Sequence, residues 1–348
     1  MNLSSLRITF FALTVLLAGC SPSGDQSQDE SAPSITFSEN EEEKKVDVLI
    51  DGELFTALRW PDSVYKPILY PLISPGGTVV TRGFPLQPRE GESSDHRHQV
   101  GNWLNYGDVN GSDFWGNGHS GTRSRNGGEI KLVDIEQKSE GEGEASLVTK
   151  STWIDSAGHE LLSEKTEYHF IAEDSLRIID RITTLTATSN EPILFKDTKE
   201  GMFGIRVARQ LELPDDNVAT SQSGIPNPAD SRTGNYRSSE GITGAGVWST
   251  RARWMNLYGA IGDEKISLVI CDHPENISYP TYWHARGYGL FAANPLGVKD
   301  FTKGAEELNH TLSKGESLTF RYRTILASEN HLTDDQINAY ADDFAKKY

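Results

Sequence analysis

The chain has 348 residues, which is enough for one large β domain or two ordinary domains with a substantial core. Its formal net charge of −17 argues against a nucleic-acid partner, because phosphate binding needs a basic surface. The two cysteines are Cys20 and Cys271; if Cys20 is lipidated, no intramolecular disulfide can form.

The first twenty residues have the features of a bacterial export signal. An apolar run that starts at Ile8 ends in Leu-Ala-Gly-Cys at Cys20, and it is too short for a membrane-spanning helix. This ending resembles the lipobox of bacterial lipoproteins, which implies cleavage before Cys20 and attachment of lipid to its thiol; the alternative is an incidental cysteine. We predict a signal peptide over residues 1–19 and an exported protein that meets the membrane of the cell envelope through its lipid anchor alone. Residues 20–44 are predicted to be a disordered tether, because polar residues dominate them.

From Lys45 onward the pattern predicts β-strands. The runs Val46–Ile50 and Glu53–Leu58 flank Asp51-Gly52, a dipeptide typical of a hairpin turn. About ten more runs rich in branched and aromatic residues follow, with few helical patterns between them. We therefore predict an all-β fold, a large antiparallel β-sandwich over residues 45–330.

Two segments depart from the strand pattern. Residues 333–336, Thr-Asp-Asp-Gln, match a capping box, and apolar residues follow at helical spacing, so a short packing helix is predicted over residues 331–348. Residues 210–250 form a long insertion rich in Gly, Ser and Asn, which suggests a functional loop or a mobile lid.

The stretch Asp95–Trp115 combines histidines, aspartates and tryptophans with neither helical nor strand periodicity, which is typical of a functional loop. His96 and His98 project to the same side if the backbone between them is extended. A second cluster, Asp272-His273 and Tyr282–Arg286, has the same mixture of residue types. We predict that the two clusters meet in one aromatic-walled hollow; otherwise these are ordinary loop histidines.

Five motifs resemble those of an exported bacterial family labelled "methane oxygenase PmoA-like". They are Tyr70–Gly77, Asp95–His98, Gly107–Trp115, Glu200–Gly204 and Tyr282–Gly297. Methane oxidation itself is excluded, because that enzyme's membrane subunit is a bundle of spanning helices and this chain has no apolar run of about 20 residues outside its signal.

The resemblance implies a link to saccharide breakdown through the family's genomic neighbours. The strand pattern also resembles the β supersandwich of aldose mutarotases and polysaccharide-lyase domains. The family motif has a further histidine after His98 where this chain has Gln99. Either a third imidazole ligand is missing here, or this position is not a metal ligand in the family.

The first functional hypothesis is a carbohydrate-active enzyme, an epimerase, lyase or hydrolase that uses acid–base chemistry on a saccharide or other small polar substrate. The catalytic candidates are His96, His98, Glu200, Asp272, His273 and His284. Aromatic rings for stacking on a sugar and polar groups for binding it are expected from Arg97, Trp103, Asp113, Trp115, Tyr282, Trp283 and Arg286.

Two alternatives stay open. His96 and His98, with His284, His273 or Glu200, would form a three-ligand site for zinc or another divalent metal with an open fourth position. The chain would instead be a non-catalytic carbohydrate-binding lipoprotein if the aromatic residues alone mattered. A structural or adhesive surface protein explains neither cluster.

Overall fold

The computed structural model describes residues 32–116, 126–214 and 231–348. Residues Ala32–Tyr348 form one compact unit. The predicted signal peptide and the lipidation site Cys20 lie outside the described residues, as does part of the predicted lid, residues 215–230.

Antiparallel strands make up most of the described chain. In chain order they are β1 Ser34–Asn40, β2 Lys45–Ile50, β3 Glu53–Arg59, β4 Ile68–Leu72, β5 Asn102–Tyr106, β6 Glu129–Ser139, β7 Gly141–Glu142, β8 Glu144–Ile154, β9 Glu160–Glu173, β10 Leu176–Ala187, β11 Ile193–Phe195, β12 Gly201–Arg206, β13 Asn235–Ser238, β14 Trp254–Ile261, β15 Glu264–Asp272, β16 Tyr282–Ala285, β17 Leu290–Asn294, β18 His310–Leu312 and β19 Ser317–Ala327. The helices are α1 Val298–Phe301 and α2 Asp334–Lys347, and single 3-10 turns lie at Arg209–Leu211 and Gly244–Val247.

The strands form two large sheets. The nine-stranded sheet has the order β16-β17-β12-β5-β4-β3-β2-β1-β7, and the eight-stranded sheet has the order β13-β14-β15-β19-β10-β9-β8-β6. One core cluster joins them, with Phe55 and Leu104 from the first sheet and Leu147, Phe170 and Tyr322 from the second. The predicted all-β sandwich is confirmed.

The hairpin of β2 and β3 shows how local sequence sets the register. Asp51 and Gly52 both have positive φ, 51° and 83°, which is the backbone of a type I′ turn and is why a small residue and a glycine stand there. The two strands pair in antiparallel register from Lys45 opposite Arg59 to Ile50 opposite Glu53.

The folded part begins before the predicted end of the tether, so the boundary at residue 44 was wrong. Strand β1 pairs with β2 in antiparallel register, with Ile35 opposite Ile50 and Phe37 opposite Val48. Ile35 is fully buried. The short alternation of Ile35 and Phe37 was hidden by the polar residues around it, and burial against the sheet outweighs that local polarity.

Helix α2 packs on the outer face of the eight-stranded sheet. Thr333 and Gln336 form the predicted capping box, and Ile337, Ala341 and Phe344 are buried against that sheet. The helix therefore has the packing role predicted for it. None of the helices in the described ranges is long and apolar enough to cross a membrane.

The outer face of the nine-stranded sheet carries a second apolar cluster. Side chains alternate along each strand, so Leu104 points to the core between the sheets while Trp103 points outward. Strand β17 repeats the pattern, with Phe291 in the core and Ala292 outside. The outer cluster also contains Trp115 and forms the base of the candidate site.

Candidate functional site

A cavity of about 500 Å³ opens on the outer face of the nine-stranded sheet, where β5, β12, β17 and β16 lie side by side. Loops at the ends of these strands supply most of its polar groups. The side chains that line it include His96, His98, Gln99, Asp113, Trp115, Lys199, Glu200, His284, Arg286 and Tyr288.

The two predicted segments therefore meet in space. His96 and His98 precede β5, Glu200 directly precedes β12, and His284 lies within β16. Alternation along β16 places Trp283 and Ala285 in the core between the sheets and His284 on the opposite face. Tertiary pairing of β16, β17, β12 and β5 closes the gap in sequence between the two segments.

His96 is held by a neighbouring carboxylate. Its Nδ1 atom lies 2.9 Å from Oδ2 of Asp95. Oδ1 of Asp95 accepts hydrogen bonds from Nη1 of Arg82 at 2.9 Å and from Nη2 of Arg206 at 3.0 Å. Both arginines are almost fully buried. Their guanidinium groups fix the position of Asp95, which in turn orients the imidazole of His96.

The charge of Asp95 follows from the same contacts. Burial alone raises its pKa, but the charge of Arg206 and hydrogen bonds from His96 and Ser93 together outweigh burial and lower the pKa to about 2. Asp95 is therefore ionised at neutral pH. An ionised carboxylate beside Nδ1 of His96 can orient the imidazole.

The backbone around His96 is a turn and not the extended segment that would make His96 and His98 parallel. His96 has a φ of 39°, in the left-handed region, and Nη2 of Arg82 donates to the carbonyls of His96 and Gln99, both at 3.0 Å. The two imidazoles still approach each other, with ring centroids 5.8 Å apart. His96 stacks on Tyr288 at 5.0 Å with an interplanar angle of 5°.

His98 lies deeper and is neutral. Burial, followed by the charge of Lys66, lowers its pKa to about 3. Nζ of Lys66 donates to the carbonyl of His98 at 2.6 Å and lies 5.1 Å from the centre of the Trp103 ring. Burial lowers the pKa of Lys66 to about 7, against the opposing charge of Asp113.

His284 is neutral for a similar reason. Burial lowers its pKa to about 4, although the charge of Glu200 opposes the shift. The ring lies nearly parallel to that of Trp115, with centroids 6.4 Å apart. Its Nδ1 atom is buried without a hydrogen-bond partner among the described residues. Glu200 is held by Lys199, whose Nζ atom lies 2.8 Å from Oε1.

Asp113 is held by backbone amides of the turn that follows it. Its Oδ1 atom accepts hydrogen bonds from the backbone amides of Trp115 at 2.9 Å and Gly116 at 2.8 Å. Burial raises its pKa, and these two hydrogen bonds only partly counteract that. Asp113 therefore keeps a proton to higher pH than an ordinary aspartate.

The arrangement does not fit the metal site considered from the sequence. Within residues 32–116, 126–214 and 231–348, no group of three or more His, Cys, Asp or Glu side chains is placed to hold a metal ion. The Nδ1 atom of His96 is already occupied by Asp95, and Gln99 accepts a hydrogen bond from Nη1 of Arg206 at 2.5 Å.

A protein-family model described as "Family of unknown function (DUF6807)" matches residues 45–342. The chain belongs to this family. The match spans the sandwich from β2 onward and most of α2, and the family's description assigns no activity. The search of curated proteins found no match.

The structure of this chain has a distant likeness to several solved proteins. A GH36 alpha-galactosidase from Geobacillus stearothermophilus, solved with raffinose, is 12% identical with a TM-score of 0.32, and the match covers 85% of this chain and 40% of that one. A polysaccharide lyase is 11% identical with a TM-score of 0.30, covering 83% and 34%. A galactose mutarotase related enzyme from Lactobacillus acidophilus is 10% identical with a TM-score of 0.28, covering 85% and 97%. The chain therefore spans about 40% of the length of the galactosidase.

Asp272 and His273 are not part of the cavity of this DUF6807 chain, which corrects their assignment as catalytic candidates at this site. Asp272 is the last residue of β15 and His273 follows it. Strand β15 lies in the other sheet, between β14 and β19. Both oxygens of Asp272 are used, with Nδ2 of Asn276 at 2.7 Å and the amide of Thr281 at 2.8 Å. His273 packs edge-on against Phe344 of α2. Closeness in sequence to His284 was misleading, because the chain changes sheets between them.

Four predicted binding residues also lie away from the cavity. Trp283 is in the core between the sheets, and Trp103 is fully buried beneath Trp115, with ring centroids 5.4 Å apart. Tyr282 stacks on Phe301 at 5.2 Å, and Arg97 lies over the ring of Phe84 at 5.4 Å. The three rings are used in packing within the protein, whereas Arg97 is exposed and does not line the cavity.

Sequence reasoning missed the residues that hold the site in place: Asp95, Arg82, Arg206, Lys66 and Tyr288. Arg206 is a charge at the end of the apolar strand β12 and is fully buried, which is costly without a partner. A lone arginine in an apolar run was the available signal for a buried ion pair. Asp95 stood in the recognised stretch without an assigned role.

Proposed function

We propose that this chain is a saccharide-processing enzyme that works by acid–base chemistry in the cavity on the nine-stranded sheet. The observation that carries the proposal is the Asp95–His96 pair. A buried pair of arginines orients a carboxylate, and the carboxylate orients an imidazole that lines the cavity.

His96 is the proton acceptor in this proposal. With Nδ1 bonded to Asp95, Nε2 is the ring nitrogen without a hydrogen-bond partner among the described residues, and in this proposal an ionised Asp95 stabilises the imidazolium that forms when His96 takes a proton. Stacking on Tyr288 limits rotation of the ring. A base that is fixed in orientation loses little entropy in the transition state.

Two carboxyl groups are candidates for the proton donor. Asp113 lines the same cavity and has a raised pKa, which favours its protonated form. Glu200 is positioned by its ion pair with Lys199. His98 and His284, neutral at pH 7, suit hydrogen bonds to hydroxyl groups.

A saccharide fits the composition and size of the cavity. Its volume of about 500 Å³ lies in the usual range for small-molecule sites. Imidazole, amide, carboxyl and guanidinium groups offer donors and acceptors to a ligand with many hydroxyls. Trp115 and Tyr288 provide the aromatic part of the wall. A purely binding module has less support, because Trp103, Tyr282 and Trp283 are taken up by internal packing.

The test is a turnover screen of the purified chain against epimerase, lyase and hydrolase substrates from mono- to tetrasaccharides. We expect activity in the wild type and a loss of about 10²- to 10⁴-fold in His96→Asn, since one positioned acid–base group contributes about that much. Asparagine is chosen because it tolerates the left-handed backbone at this position.

His159→Asn is the matched control. His159 is exposed, bonds Asp155 and does not line the cavity, so its loss should leave turnover unchanged. Saccharide binding without turnover in the wild type would instead favour the carbohydrate-binding alternative. Equal activity of wild type and His96→Asn would overturn the assignment of His96.

We also propose that the chain is exported and lipid-anchored through Cys20, on the strength of the apolar run before it. Expression of the full chain in a bacterial host with a radiolabelled fatty acid tests this. Label in the wild type and its loss in Cys20→Ser would support the anchor. Unlabelled, soluble wild-type protein would contradict it.

A further inference from the structure

One of the two cationic side chains that line the cavity has an ion-pair partner and the other has none among the described residues. Two cationic side chains line the described part of the cavity, Lys199 and Arg286. Nζ of Lys199 is paired with Glu200 at 2.8 Å. Within the described parts of the chain, the exposed guanidinium of Arg286 has neither an ion pair nor a side-chain hydrogen bond, and it lies 5.6 Å from the centre of the Trp248 ring.

The carboxyl groups of the lining do not satisfy Arg286. Glu200 is held by Lys199, and Oδ1 of Asp113 accepts two backbone amides of its own turn. The nearby imidazole of His284 is neutral at pH 7. The cavity therefore has an unpaired positive charge in a chain whose net charge is −17.

Arg286 is also fixed at its base. Its backbone amide donates to the carbonyl of Leu290 at 2.7 Å, and its own carbonyl accepts from the amide of Gly289 at 3.0 Å and the hydroxyl of Tyr236 at 3.3 Å. Trp248 supports the guanidinium from one side. A guanidinium group whose backbone is fixed and whose outer edge is exposed can bind a planar anion through two parallel hydrogen bonds.

We propose that the substrate is an acidic saccharide and that Arg286 binds its carboxylate. The inference rests on the proposed function, since it assigns the substrate class of the same cavity. A neutral sugar would leave the Arg286 charge without a counter-ion, whereas a uronic acid supplies one in the cavity that His96 also lines.

Binding of matched acidic and neutral sugars to the full chain tests the inference. The probes are D-galacturonic acid, D-glucuronic acid and their linked trimers, against D-galactose, D-glucose and the corresponding neutral trimers, by isothermal titration calorimetry at low salt. We expect at least one acid to bind about ten-fold or more tightly than its neutral partner, because hydrogen bonds between charged groups have about that effect on affinity.

Arg286→Gln should remove this preference while leaving affinity for the neutral sugar unchanged. Arg97→Gln is the matched control, an arginine of the neighbouring loop that lies over Phe84 and does not line the cavity. Equal affinity for acid and neutral sugars overturns the carboxylate assignment and leaves the acid–base proposal standing. An acid preference that survives in Arg286→Gln overturns the role of Arg286. No binding or turnover of any saccharide overturns both proposals.

Discussion

Two histidine-containing clusters with the same residue types have different surroundings in this fold. Around His96 and His284, polar groups face a cavity on the nine-stranded sheet. Around Asp272 and His273, the carboxylate oxygens are used by Asn276 and Thr281, and the imidazole lies against α2. Residue type therefore identifies candidate site residues, but only the position of their side chains relative to a cavity distinguishes a functional site from a structural hydrogen-bond network.

The largest effect on stability is expected from a buried ion pair of the eight-stranded sheet. Asp180 and Arg323, both fully buried in the eight-stranded sheet, form a two-point ion pair at 2.6 and 2.8 Å. Asp180→Ala leaves the Arg323 charge without its main partner, so the free energy of unfolding should fall by about 3–5 kcal/mol. Urea denaturation measures this. Glu167→Ala, which breaks the exposed pair with Lys165, should change it little.

A paired substitution tests the comparison directly. His96→Asn should lower turnover and leave stability near that of the wild type. His273→Gln should lower the free energy of unfolding by about 1–3 kcal/mol, since it disturbs packing against Phe344, and leave turnover per folded molecule unchanged. Thermal unfolding and turnover, measured on both variants, separate the two roles. A loss of turnover in folded His273→Gln would break the comparison.

The two aspartates should give stability opposite dependences on pH. The pKa of Asp95 falls from 3.8 to about 2 on folding, so its contribution is present above pH 4 and is lost as the pH falls toward 2. Burial raises the pKa of Asp272 from 3.8 to about 7, so the folded state keeps a proton that the unfolded state releases, and stability declines as the pH rises from 4 to 7.

Denaturation midpoints at intervals from pH 2 to pH 8 check both signs. Asp95→Asn should flatten the acid limb of the stability curve, and Asp272→Asn should flatten the decline between pH 4 and pH 7. If Asp272→Asn left that decline intact, the proton would be held elsewhere.

The smallest effect concerns Lys66. Lys66→Met removes a buried charge and its hydrogen bond to the His98 carbonyl, so the pKa of His98 should rise from about 3. Stability should change by only about 1 kcal/mol or less, because replacing a buried charge with an apolar residue of similar volume is often close to neutral. Titration of the histidine ring signals by NMR measures the pKa. An unchanged value would show that burial alone sets it.

Local patterns were sufficient for most of the fold. The hairpin at Asp51-Gly52 and the capping box at Thr333 were both predicted and both formed, since each depends on residues a few positions apart. Strand β1 was missed because Ile35 and Phe37 are an alternation of only two residues, and their burial depends on pairing with β2.

The candidate site was predictable only in part. The sequence by itself determined an antiparallel β fold and a set of polar residue types unusual for a core, because periodicity and composition are local properties. Only the tertiary structure decided that His284 faces the cavity while Trp283 is in the core, and that Arg82 and Arg206 meet at Asp95. Strand order and the two faces of each sheet are set by pairing over long distances in the chain, which no short pattern records.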